Sequence, residues 1–131
     1  MSEQHENVKT VNEIAPAILS GDHGTLARIF TDDVAFHLRG PVPFAGDYEG
    51  AGGVLEGIGA LVASVDDVDL EQQFCTGWDE WAAEWEHCTL KRNGKTLESR
   101  NAFVYRFDGD RIDEMWMFLG AQPELAEVFL A

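Results

Sequence analysis

Basic residues are scarce in this chain: 9 lysines and arginines stand against 24 aspartates and glutamates among 131 residues, a formal charge of -15. Such a surface repels nucleic acid phosphates and anionic membrane headgroups, which excludes polyanions as partners. The acids are scattered rather than massed, so the charge itself implies a solvated surface and no chemistry. Cysteine is nearly absent as well. Cys75 and Cys88 are too few for a disulfide framework and lack metal-ligand spacing, so free thiols in a reducing compartment are expected. No run approaches the ~18 apolar residues of a membrane span. The start, Met1-Ser2-Glu3-Gln4-His5-Glu6, is too polar for a signal peptide, and the expected location is the cytoplasm. Gly50-Ala51-Gly52-Gly53 precedes a helix but lacks the lysine and the strand-then-loop spacing of a phosphate cradle. No cofactor and no metal are therefore expected. Repeats, linkers and low-complexity tracts are missing, and residues 1–131 read as one domain with a sizeable core.

What the chain does contain is a run of strand-like segments joined by turns. Asn93-Gly94 between Trp81–Leu90 and Thr96–Tyr105 is a strong hairpin signal, because both loop residues must take positive φ. The register follows by arithmetic: Arg92 pairs with Lys95, Cys88 with Ser99, Glu86 with Asn101 and Glu84 with Phe103, all on one face. Trp85, His87, Arg100 and Ala102 share the other face. Asp108-Gly109 marks a second turn, into a final strand through Trp116. Upstream, Val8, Val11, Ile14, Ala15, Ile18 and Leu19 form a helical stripe over residues 6–20 that Pro16 should kink or break. A short helix is predicted over 24–30, a strand over 34–38, a loop over 39–50, a glycine-containing helix over 51–64 and a strand over 68–76. A last helix is predicted over 123–130. Helices followed by an antiparallel meander indicate an α+β fold with helices on one face of a curved sheet.

Several pieces of this sequence resemble a known family. They are Gly21-Asp22 with the run from Leu26 to Asp33, Phe36-His37-Leu38-Arg39-Gly40 with Phe44 to Gly50, and the ending from Val104 to Trp116. In that order, and over nearly the whole chain, they are similar to the SnoaL-like and ketosteroid isomerase-like branch of the nuclear transport factor two-like superfamily. The resemblance implies a cone-shaped α+β barrel enclosing a pocket, homodimers, and members that isomerise, cyclise, dehydrate, hydrolyse epoxides or only bind. The isomerase's three functional positions fall at Leu38, Ile14 and Phe103, all apolar, so enolisation by that mechanism is excluded. The epoxide-hydrolase triad is replaced by Met115-Trp116-Met117-Phe118, and an acid common in SnoaL-like relatives is replaced by Gly120.

With Phe103 directed to the cavity by the resemblance, the register sends Glu84, Glu86, Cys88, Ser99 and Asn101 to the same side. Two carboxylates two positions apart on a strand face sit ~7 Å apart, and in an apolar pocket such a pair holds one proton near neutral pH. Glu84 and Glu86 are thus candidate acid and base, with Asn101 orienting one and Tyr48 donating to a substrate oxygen. The bland alternative is that both glutamates lie solvated at an open rim. Ile14, Phe36, Leu38, Cys88, Ser99, Phe103, Met115, Met117 and Leu119 are the candidate pocket lining. Alternation turns His37 away from Phe36 and Leu38, toward the back of the sheet or a dimer contact, with catalysis a secondary reading. Trp85, His87, Arg100 and Trp116 are expected on the outer face, where they favour a homodimer. Two functions remain open: a cofactor-independent acid/base enzyme on a small, apolar, oxygenated molecule, or a non-catalytic protein that binds one.

Overall fold

The computed structural model describes residues 5–130; the first four residues of the polar start and the terminal Ala131 lie outside the described residues. The predicted long N-terminal helix is two: α1 (Glu6–Asn12) and α2 (Ile14–Ser20). Pro16 sits in the first turn of α2, where its missing N–H costs nothing, so the break falls ahead of it at Glu13. Gly21 closes α2 in the left-handed region, φ 68°. Asp22 caps α3 (His23–Ile29) by accepting from the Thr25 amide at 3.1 Å.

Six strands follow: β1 (Phe30–Arg39), β2 (Gly46–Glu49), β3 (Asp67–Trp78), β4 (Trp81–Arg92), β5 (Lys95–Asp108) and β6 (Arg111–Phe118). Their order is β2-β1-β6-β5-β4-β3, with only β1 and β6 parallel, and the curved sheet stays open between its β2 and β3 edges. The predicted loop over 39–50 is corrected here, since its last residues form β2, antiparallel to β1 with Phe36 opposite Tyr48. Helix α4 (Gly50–Ala63) lies across β1 and β2. Gly53 and Gly57 serve this approach: a Cβ on Gly57 would come within 2.8 Å of the Phe36 ring and one on Gly53 within 3.1 Å of the Tyr48 side chain. Helix α5 (Gln122–Leu130) buries Leu125 and Phe129, and Arg92 lies 4.9 Å over the Phe129 ring.

The β4–β5 hairpin has the register read from the sequence at all four pairs named above. Asn93 and Gly94 both have positive φ, 52° and 78°. Alternation then divides the sheet. One inner row reads Leu38, Met117, Phe103, Glu84 and Cys75 across five strands. The neighbouring outer row reads Phe74, Trp85, Ala102 and Phe118. A bulge between Gln72 and Phe74 lets Gln72 face inward while Phe74 faces out.

Candidate active site

The inner face is apolar at its β1–β6 end and polar at its β3–β4 end. Phe36, Leu38 and Met115 have no exposed surface, and Met117, Leu119, Phe103 and Ile14 are buried around them. The expected lining residues are therefore brought together, but as a packed wall. Shallow depressions lie elsewhere, beside Phe74 and Trp85 and beside His87 and Arg100. Helix α1 covers part of the polar end, where Asn7 donates to the carbonyls of Asp79 and Trp81, 3.0 Å each.

Glu84 and Glu86 stand side by side on β4, partly exposed, with Cys88 and Asn101 buried next to them. Burial pushes the Glu86 carboxyl up to about 7; the Asn101 hydrogen bond opposes this and the Glu84 charge reinforces it. Asn101 Nδ2 donates to Glu86 Oε1 at 3.2 Å. The amide cannot be turned round, because its Oδ1 accepts from Ser99 Oγ at 2.8 Å and from the Gly120 N–H at 3.2 Å. Burial also raises the thiols, Cys75 to about 11 and Cys88 to about 12, with the neighbouring glutamates adding to the effect. Neither is a thiolate at neutral pH.

Tyr48 is placed differently from its proposed role. Its hydroxyl donates to the Phe44 carbonyl and its ring lies against Phe36, centroids 5.8 Å apart. That proton is engaged, and Tyr48 has no part in the machinery proposed below. Three partners were missed in the sequence. Tyr105 donates to Glu84 Oε1 at 2.5 Å, and Gln72 Nε2 donates to Glu84 Oε2 at 2.6 Å and to Asn12 Oδ1 at 3.0 Å. Tyr105 was within reach, since it lies two residues beyond Phe103 on the same face. The bulge hides Gln72 from any reading by alternation.

His37 lies on the outer face, its ring 5.4 Å from that of Trp116, which in turn lies 6.2 Å from Trp81. Its Nδ1 meets Asp47 at 2.7 Å and its Nε2 meets Glu114 at 2.8 Å. Burial lowers the imidazole's basicity, but the two carboxylates outweigh it and the net direction is up. Stability from this group is thus present below the ordinary histidine value and lost as pH rises through the folded one. His37→Gln is expected to destabilise the protein more at pH 5.5 than at pH 9 in urea unfolding. An equal loss at both pH values contradicts an imidazolium here.

Among the described residues, no group of three or more His, Cys, Asp or Glu side chains is arranged to hold a metal ion, and no helix is long and apolar enough to cross a membrane.

Comparison with known proteins adds a family. The profile described as SnoaL-like domain matches residues 11–115. No curated protein matches the chain. Among solved structures, a protein from a soil-derived mobile gene cassette is similar at TM-score 0.81 and 21% identity, covering 95% of this chain and 96% of that one. A nuclear transport factor two-like protein from Burkholderia xenovorans is similar at TM-score 0.79 and 17% identity, covering 96% and 97%. A candidate SnoaL-like polyketide cyclase from a Jannaschia species is similar at TM-score 0.79 and 10% identity, covering 98% and 97%. At these identities the likenesses establish a shared fold.

Proposed function

The chain belongs to the SnoaL-like domain family, and from that premise we propose that it is a cofactor-independent enzyme acting by general acid/base catalysis on a small, apolar, oxygen-bearing molecule. The reactions in view are isomerisation, cyclisation, dehydration and epoxide opening. The polyketide cyclase description of a structural neighbour fits this range. One observation carries the reading: Glu86 is desolvated, oriented by a fixed amide and set to hold or release a proton near neutral pH. Glu84 beside it supplies the complementary role.

The test is turnover of a panel of apolar epoxides and polyketide-like ketones by the wild type and by Glu86→Gln. For any substrate the wild type converts, the variant is expected to lose about 10²- to 10⁴-fold in kcat/KM. Equal turnover by the two removes Glu86 from the chemistry. Apolar Ile14, Leu38 and Phe103 at the isomerase's three functional positions favour a second reading, a protein that binds an apolar ligand without converting it. Ligand-induced stabilisation with no turnover selects that reading.

The assembly proposed is a homodimer through the outer sheet face, in the cytosol. Support comes from the cross-strand row Phe74, Trp85 and Phe118, exposed to 56%, 47% and 41%, with Trp116, His87 and Arg100 in adjoining positions. Sedimentation is expected to show a wild-type dimer and a monomeric Trp85→Lys variant. A wild type that stays monomeric at tens of micromolar contradicts this assembly.

A further inference from the structure

Within the acid/base reading just given, two adjacent carboxylates leave open which one carries the pair's proton. Their hydrogen bonds differ. Glu86 receives one donor, the Asn101 amide, and is largely desolvated. Glu84 receives a donor on each oxygen, the Tyr105 hydroxyl at 2.5 Å and the Gln72 amide at 2.6 Å. Donors converging on both oxygens favour a carboxylate, because a carboxylic acid would have to present its own proton to one of them.

Tyr105 is suited to this task by its surroundings. It is 2% exposed, and its ring is stacked on Phe103 with centroids 6.1 Å apart and planes 6° from parallel, so the hydroxyl has a fixed aim. Burial first, and then the Glu84 charge, raise the phenol's ionisation well above the ordinary tyrosine value. The group therefore remains an O–H donor at any working pH. The other titratable groups facing it, Cys75 and Glu86, are a thiol and the second carboxyl.

We propose that Tyr105 is a positioning residue: by donating to Glu84 it holds that carboxylate as the anionic base of the pair and leaves the shared proton on Glu86, the acid. In the reaction Glu86 then gives its proton to a substrate oxygen while Glu84 accepts one from carbon or from water, so the pair's net charge is unchanged over the step. The anionic base also favours uncharged substrates over carboxylates and phosphates. Arg92, on the same strand face, is turned to other partners, donating from Nε to the Val128 carbonyl and from Nη1 to the Ser64 carbonyl.

The test is carboxyl-carbon NMR of Glu84 and Glu86 in the wild type and in Tyr105→Phe, a change that keeps the ring and removes only the hydroxyl. In the wild type the transition near neutral pH is expected on the Glu86 signal. In the variant the Glu84 signal is expected to report protonation at higher pH than in the wild type, because the carboxylate has lost a donor. A Glu84 signal that does not move, in a variant with native circular dichroism, overturns the proposal. Should Tyr105→Phe fail to fold, Glu84→Gln gives the reciprocal reading through the tyrosine Cζ signals. The Tyr105 phenol is expected to ionise at lower pH without Glu84, and an unchanged midpoint overturns the proposal. These readouts need no substrate. If they appear as expected while Glu86→Gln keeps full turnover, the acid role of Glu86 fails and the assignment of the proton stands.

Discussion

Glu86→Gln is expected to be more stable than the wild type above pH 7 and about equal to it at pH 4. In the wild type the folded-state value of Glu86 is about 7, against 4.5 for the free side chain. Between those values the folded protein binds a proton that the unfolded chain releases, so stability is full below pH 4.5 and is lost as pH rises through 7. The gap corresponds to about 3 kcal/mol, an upper figure for a group that keeps some contact with water. Glutamine is neutral throughout and still accepts from Asn101. Urea unfolding at pH 4, 6 and 8 reads the difference directly, and His37 titrates in both proteins and cancels. A difference that does not grow with pH shows that Glu86 ionises as an ordinary surface acid. Stability gained where activity is lost is the mark of a group buried for chemistry rather than for folding.

Gly120→Ala is expected to cost about 3 kcal/mol and to lower the melting temperature by roughly 10 °C. A Cβ at this position would stand 2.1 Å from the Arg100 carbonyl oxygen and 3.1 Å from its carbon, and neither belongs to a side chain that can turn aside. The backbone must move, and with it goes the Gly120 N–H that holds the Asn101 amide. The variant should therefore also shift the Glu86 titration, since the donor to its carboxylate is no longer fixed. Unchanged melting and an unchanged titration would mean that the β5–β6 end has slack. The same crowding bears on the acid that SnoaL-like relatives carry after this strand. Aspartate at 120 is expected to unsettle the sheet rather than add a catalytic group.

The legible part of this protein was what depends on local stereochemistry. Asn93-Gly94 forces a two-residue turn, a two-residue turn forces the register, and the register puts Glu86 opposite Asn101. With Phe103 set inward by the resemblance, strand alternation places Glu84 and Glu86 inward and Trp85 outward. Illegible features arise where that periodicity is broken or where contacts join distant segments. The bulge after Gln72 reverses the faces of β3, which is why Gln72 was missed and why Phe74 joins Trp85 outside. β2 is only four residues long and follows two prolines and a glycine, so its pairing with β1 outweighs a local pattern that reads as loop. Tyr48 could be recognised as a hydroxyl near the mouth of the fold, but its engagement with Phe44 is set by how that loop folds back. The degree of packing around Leu38 and Phe103 follows from side-chain volumes meeting across five strands, which no single segment encodes.

The charge state of Glu86 underlies the function, the pH dependence and the role given to Tyr105. Its carboxyl-carbon NMR titration in the wild-type protein, assigned with Glu86→Gln, is the most direct measurement. A midpoint near 7 is the predicted result, placing a proton donor and acceptor at the polar end of the inner face. A midpoint near the 4.5 of a free glutamate would contradict the account, leaving a solvated pair of acids at the rim and a protein that binds its ligand without transforming it.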